Sequence, residues 1–292
     1  MSDGSVPTLG DLAREGASYL EAHDVPLARF DAQVLLARVL GISRSDLLPR
    51  VERPAPPDAG RRFRSHLKRR GEREPLQHIT GVQEFWSLEF EVSAAVLIPR
   101  PETELVVEEV LRRAAPPGSL IADIGTGSGN IAVALARELP LARVLAIEVS
   151  PAALEVARRN AARHGVASRI EFLLGDLAEP LERAVQPGAL DFLVSNPPYV
   201  SQAELATLDP EVREHEPRQA LIPPSGDSLS FYPGLLDAAA RFLRPGGHAI
   251  VELPSGGSDR IPAMMAGRDA LELLTVRVDY SGIPRIVVAR HR

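Results

Sequence analysis

From Ser119 to the C-terminus, short apolar runs alternate with longer helical patterns. "LIADI", "RVLAIE", "RIEFLL", "DFLVSN" and "HAIVEL" are strand-length runs rich in Val, Ile, Leu and Ala, with helix-length segments between most of them. Runs of this kind, apolar without strict alternation, suit strands buried on both faces, and the rhythm is that of βαβ units around a parallel sheet. The end departs from it: "LELLTVRVD" and "RIVVARH" are separated only by "YSGIP". That connection is too short for a crossover, so it predicts an antiparallel hairpin at the end of the sheet. The fold class is α/β.

A chain of 292 residues leaves room for a second domain or an extension ahead of that sheet. "TLGDLAREGASYLEAH" and "PLARFDAQVLLARVLG" carry apolar residues at helical spacing, and Gly41 sits where a helix would stop. Residues 1–74 therefore read as a small N-terminal helical domain. From Gln83 the alternation and aromatic content of "EFWSLEFEVSAA" predict a short β-hairpin, so 75–97 reads as a hairpin linker and 98–292 as the α/β domain. Within the helical domain "RRFRSHLKRRGER" holds seven basic residues and one acidic. It reads either as a solvated helix face or as a patch for an anionic partner, such as ribosomal RNA or an acidic protein surface.

Ligands of an open α/β sheet bind outside the carboxyl ends of its strands, so the residues at those tips matter most. The first tip is "DIGTGSGN", Asp123 to Asn130. Gly125, Gly127 and Gly129, interleaved with Thr126 and Ser128, permit a tight turn and close approach of a ligand to the backbone, and the helix that follows offers free N–H groups. Asn130 stands where the dinucleotide pattern wants a glycine, and no Gly-Lys-Ser/Thr follows, so neither a dinucleotide fingerprint nor a P-loop fits. The second tip, "AIEVSP", ends in Glu148, whose carboxylate can accept both hydroxyls of a ribose; the plain alternative is that it favours the positive end of the next helix. The third, "LLGDLAE", offers Asp176 to an adenine amino group and the Leu177 backbone N–H to the ring. Taken together these tips look like the S-adenosylmethionine site of class I methyltransferases.

The fourth tip is "SNPPYVS". Pro197 holds Asn196 extended and Pro198 does the same to Pro197, so the backbone carbonyls point in fixed directions. Asn196 Oδ1 and the Pro197 carbonyl are two fixed acceptors, which is what gripping a planar –NH2 by both protons requires. Tyr199 can lie against the gripped plane. An amide nitrogen is a poor nucleophile because its lone pair is delocalised. Attack on a methyl sulfonium puts positive charge on that nitrogen, and preorganised carbonyl dipoles stabilise it as it develops. No general base is needed beforehand, since the product loses its proton afterwards.

These residues resemble the HemK/PrmC family, the protein-(glutamine-N5) methyltransferases that modify peptide-chain release factors. The likeness extends to "GVQEFWSLEFEVSAAVLIPRPETE", "EPRQAL" and "DYSGIPR". It implies a class I S-adenosylmethionine-dependent methyltransferase domain, with a Rossmann-like, seven-stranded, mostly parallel sheet, behind a helical substrate-recognition domain. S-adenosylmethionine is then the cofactor and S-adenosylhomocysteine the product. The cofactor would be held by Asp123, Gly125, Thr126, Gly127, Ser128, Gly129, Glu148, Asp176, Leu177, Asn196 and Arg100. The implied substrate is the glutamine of the Gly-Gly-Gln loop of class I release factors, bound by Asn196, Pro197, Pro198 and Tyr199, with Asn196, Pro197 and Tyr199 catalytic. Arg100 and Glu102 of "IPRPETE" either form a linker salt bridge or close over the methionine end of the cofactor. Two departures stand out: Glu148 where many members have Asp, and "ELPSGG" where "EHG" or a relative is expected.

Other readings share parts of this pattern: a glutamine methyltransferase of a ribosomal protein, an adenine-N6 or cytosine-N4 nucleic-acid methyltransferase, and a non-catalytic S-adenosylmethionine-binding module. A net charge of −6 argues against stable nucleic-acid binding. A sensor module has no use for a nitrogen grip. The chain has no cysteine, which excludes disulfides and thiolate metal sites, and no metal is expected. With no apolar N-terminal core and no membrane-length apolar run, a cytoplasmic monomer without membrane contact is expected.

Overall fold

The computed structural model describes residues 6–292. Its internal contacts divide the chain into two units. One reaches to Gly81 and takes in Asp209–His215; the other holds Val82–Leu208 and Glu216–Arg292. The expected linker begins at 75, whereas Leu76–Thr80 forms a short helix that falls in the first unit.

The first unit is helical. Thr8 and Asp11 form a capping box at the start of Leu9–Glu21, and Gly41, at φ 68°, ends Ala28–Leu40 where the glycine predicted a stop. Leu12, Leu20, Leu35, Leu36, Phe63 and Leu67 form its core. A Cβ at Gly16 would lie 2.5 Å from the Phe63 ring, so only glycine lets Leu9–Glu21 and Ala59–Gly71 approach this closely.

The basic run lies on Ala59–Gly71 and just beyond it, and part of it is neither solvated nor available to a partner. Arg70 is buried; its Nε donates to Asp31 at 2.7 Å and its Nη1 to Glu211 at 2.9 Å. Arg73 donates to both oxygens of Glu211, at 2.8 and 2.7 Å, and Arg69 Nε donates to Glu74 at 2.7 Å. Asp31 and Glu211 lie far from the run in sequence, so a window along the chain cannot reveal that they neutralise it.

The second unit opens with a hairpin of β1, Val82–Phe85, and β2, Leu88–Glu91. Trp86 and Ser87 make its two-residue turn with φ of 52° and 55°, conformations usually left to Asn and Gly. Seven strands follow: β3 Leu120–Ile124, β4 Arg143–Glu148, β5 Ile170–Leu174, β6 Leu190–Ser195, β7 Leu243–Glu252, β8 Leu271–Val278 and β9 Pro284–His291. They form one sheet in the order β5-β4-β3-β6-β7-β9-β8. The first five run parallel, and β9 alone is reversed, antiparallel to both β7 and β8, as the short final connection required.

Both faces of the sheet are covered, which explains the continuous apolar runs. Ile121, Val144, Val194 and Ile250 pack on one side with Val106, Val110 and Leu135, while Ala122, Leu145, Leu193 and Val251 pack on the other with Leu235, Leu236 and Phe242. The chain reverses direction across the sheet between β3 and β6. Among the described residues no helix is long and apolar enough to cross a membrane.

Candidate active site

Strand register assembles the site. Ile124 of β3 is aligned with Ile147 of β4 and with Ser195 of β6, and Ser195 in turn with Val251 of β7. One residue further along each strand stand Gly125, Glu148, Asn196 and Glu252, so a row of tips unrelated in sequence crosses the edge of the sheet. Ser195 Oγ donates to the Ile124 carbonyl at 2.7 Å and ties the two central tips together. The switch point between β3 and β6 is where open α/β sheets bind ligands.

A cavity opens there. Gly125, Thr126, Gly127 and Ser128 line it from the first tip, Glu148 from the second and Asp176 and Leu177 from the third. Asn196, Pro197 and Pro198 line it from the fourth, and Arg100 and Thr103 lie on its wall. Gly129, Asp123, Tyr199 and Glu102 are not lining residues. At Gly129 a Cβ would lie 3.1 Å from that of Ala157, so this glycine serves close packing of helices and a φ of 79° at the helix start.

The donor set suits a nucleoside with a charged tail. Glu148 accepts from the backbone N–H groups of Gly127 and Ser150, both at 3.0 Å, which orient the carboxylate and leave lone pairs for a diol. Asp123 is fully buried; Thr126 Oγ1 donates to its Oδ2 at 2.6 Å, while Oδ1 has no partner among the described residues. Burial pushes its carboxyl up to about 7, against the opposing pull of the Thr126 hydroxyl. Leu177 turns away from Asp176 with a φ of 46°, in the left-handed region.

At the fourth tip the hydrogen bonds have one direction. Asn196 Nδ2 donates to Thr103 Oγ1 at 3.0 Å, and Thr103 Oγ1 donates to Glu252 Oε2 at 2.7 Å. Tyr199 OH donates to the other oxygen, Oε1, at 2.8 Å, and Tyr232 OH donates to the Glu252 backbone carbonyl. Asn196 Oδ1 takes no internal hydrogen bond among the described residues. Burial pushes Glu252 up to about 7; the Thr103 and Tyr199 hydroxyls offset this only in part, and the charge of Glu102 adds to it. Burial, with Glu252 nearby, raises the Tyr199 phenol well above its ordinary value, so it remains a donor.

Arg100 forms a salt bridge, but with Glu216 of "EPRQAL". Glu216 is buried and also accepts the Ile98 N–H at 3.1 Å. The motif-based reading missed Thr103, Glu216 and Glu252 as site residues. A signal existed for one of them: Glu252 ends the fifth strand, and the rule that singled out Glu148 applies there equally. Thr103 and Glu216 sit inside segments already noted, without any local mark of what they would touch.

Two family models match the chain: the PrmC N-terminal domain over residues 11–81 and a methyltransferase domain over residues 100–274. The release factor glutamine methyltransferase of Geobacter sulfurreducens is 44% identical over 93% of each chain, and that of Moorella thermoacetica 44% identical over 98% of this chain and 99% of its own. Among solved structures, PH0851 superposes with a TM-score of 0.53 at 15% identity, over 67% of this chain and 47% of its own, which is a likeness of fold. The sheet is that of a class I methyltransferase and the protein uses S-adenosylmethionine. With domain matches ahead of and across the sheet, and relatives similar along nearly the whole length, the chain belongs to the release factor glutamine methyltransferase family.

Proposed function

We infer that this protein transfers the methyl group of S-adenosylmethionine to the side-chain amide nitrogen, N5, of the glutamine in the Gly-Gly-Gln motif of class I release factors. The observation that carries the reading is the Asn196 carboxamide. Its Nδ2 is committed to Thr103, which leaves Oδ1 to accept, and Asn196 and Pro197 both line the cavity. When bound, the cofactor supplies a methyl group on an electron-poor sulfur.

The chain's own residues do the rest. Gly125, Thr126, Gly127 and Ser128 cradle the cofactor, Glu148 takes its ribose, and Asp176 and Leu177 take its base. Arg100, held by Glu216, closes the methionine end. Asn196 Oδ1 and the Pro197 carbonyl orient the two N–H groups of the substrate amide, and Pro198 and Tyr199 border it. The amide nitrogen would take the methyl carbon that the bound cofactor would supply, with the electrons of the broken S–C bond left on sulfur. The positive charge on nitrogen meets fixed carbonyl dipoles and is discharged when the N-methylated amide releases its proton to water.

A single copy acts in the cytoplasm on its protein partner. Pairing of Arg69, Arg70 and Arg73 within the helical unit weakens the case for a nucleic-acid substrate. The test is mass spectrometry of release factor, ribosomal protein and DNA after incubation with the protein and cofactor. One methyl on the Gly-Gly-Gln peptide is expected. Methylation only of another acceptor would overturn the reading.

A further inference from the structure

We propose that Glu252 and Thr103 form a positioning relay that decides which end of the Asn196 carboxamide faces the acceptor nitrogen. The proposal rests on the functional reading above and goes beyond it, because neither residue touches the reacting atoms. A carboxamide is nearly symmetric in shape, so packing alone does not distinguish its oxygen from its nitrogen. Here the grip works only with the oxygen turned toward the substrate; an –NH2 in that place would repel the donor it must hold. Something must therefore break the symmetry.

The hydrogen-bond chain does so. An ionised carboxylate only accepts. Both Glu252 oxygens accept from hydroxyls, Oε2 from Thr103 and Oε1 from Tyr199. A Thr103 hydroxyl whose proton is given to Glu252 has only lone pairs left for Asn196, so it selects the –NH2 end, as observed at 3.0 Å. The charge on Glu252 is thus read out two bonds away as the orientation of an uncharged side chain. The same carboxylate holds Tyr199 by its hydroxyl. No salt bridge among the described residues includes Glu252, although it is almost fully buried. A residue kept for fold stability alone would be expected to have a cationic partner; one kept as a pure acceptor needs the hydroxyls it has. Locking a reacting group through its supporting hydrogen bonds is what precise positioning requires.

The test uses conservative variants of the full chain. Glu252→Gln preserves size but introduces an –NH2 that can donate to Thr103, whose proton is then free to turn toward Asn196. Its kcat is expected to fall roughly 10- to 100-fold, short of the ~10²–10³-fold expected for removing a direct dipole, with cofactor Kd unchanged. Thr103→Val keeps shape without a hydroxyl and should lose a similar factor, whereas Thr103→Ser should restore nearly full turnover. In ¹⁵N spectra of the protein without substrate, the Asn196 side-chain signals should shift in Glu252→Gln and Thr103→Val and stay in place in Thr103→Ser. Wild-type turnover in Thr103→Val, or unmoved Asn196 signals in both variants, overturns the relay; should Glu252→Gln fail to fold, Thr103→Val alone decides. Wild-type protein inactive on release factor would instead overturn the functional reading, and the spectra would still judge the relay.

Discussion

Two inward-facing carboxylates, Glu211 in the helical unit and Glu252 at the tip of β7, have opposite surroundings. Burial works against ionisation of Glu211, but hydrogen bonds from Arg73 and Arg70 outweigh it and pull the group down to about 2. Burial works against ionisation of Glu252 too, and there the Thr103 and Tyr199 hydroxyls, with a smaller pull from Arg285, answer it only in part, so the group rises to about 7. The first is a counter-ion that neutralises two arginines and holds Asp209–His215 within its unit. The second is in no salt bridge among the described residues and sits where hydrogen-bond direction matters. A carboxylate answered by cations stabilises a fold; one answered by neutral donors gives up stability for orientation.

The largest effect expected from this contrast is on stability. Glu211→Ala leaves Arg73 without its carboxylate and Arg70 with Asp31 alone, and should cost about 3 kcal/mol in chemical denaturation. Cofactor affinity of the folded protein should be unaltered by calorimetry; a loss of affinity would break the division between a structural and a functional carboxylate. Next comes Asn196→Ala, which should lower turnover by roughly two to three orders of magnitude with cofactor Kd nearly kept. Because Glu252 acts on turnover partly through Asn196, adding Glu252→Gln to that variant should cost less than it does alone, and full additivity would contradict the relay.

Glu148→Ala should weaken cofactor binding by roughly 1.5–3 kcal/mol, as for a charge-assisted contact, with the acceptor side untouched. Unchanged affinity would return Glu148 to helix capping. The smallest effect is on pH dependence, where the two carboxylates have opposite signs. The stabilising contribution of Glu211 is complete above the ordinary carboxylate range and is lost as pH falls toward 2. The cost of burying Glu252 is complete above about 7, shrinks as pH falls from there, and is gone only below its ordinary value of 4.5. Activity should therefore decline as pH drops through about 7 even though this group is then cheaper to bury. Asp123 titrates in the same range, so the two must be separated. Of the charged groups acting on Glu252, Glu102 raises it and Arg285 lowers it. Glu102→Gln should move the acidic limb of the kcat profile to lower pH; an unmoved limb would assign it to Asp123.

Much of the site was legible in the chain because strand tips are marked locally. An apolar run ending in Glu148, or in Asn196 before two prolines, announces both the strand and the group at its end. Glu252 followed the same rule, but its partners lie in other segments: Thr103 ahead of β3 and Tyr199 just after β6. The basic run is exposed at Arg61, Arg62, Arg64 and Lys68, as a solvated face would be, but not at Arg70, for a related reason. Its charge was counted against its neighbours in sequence, while the acids that neutralise Arg70 are Asp31 and Glu211. Gly129 has a packing reason that glycine spacing does not announce: the space its Cβ would need is taken by Ala157.

The amino-acid sequence alone determined the α/β class, the antiparallel end of the sheet, the chemistry offered at each tip and the likeness to a family. Apolar periodicity encodes which faces are buried, and burial drives folding. Strand order, register and the sense of each hydrogen bond were decided only by the tertiary structure. They placed β6 between β3 and β7, set Asn196 beside both Gly125 and Glu252, and committed its Nδ2 to Thr103. The reason is that a donor or a charge takes its meaning from what surrounds it in space, and those surroundings come from segments far apart in the chain, 149 positions in the case of Thr103 and Glu252.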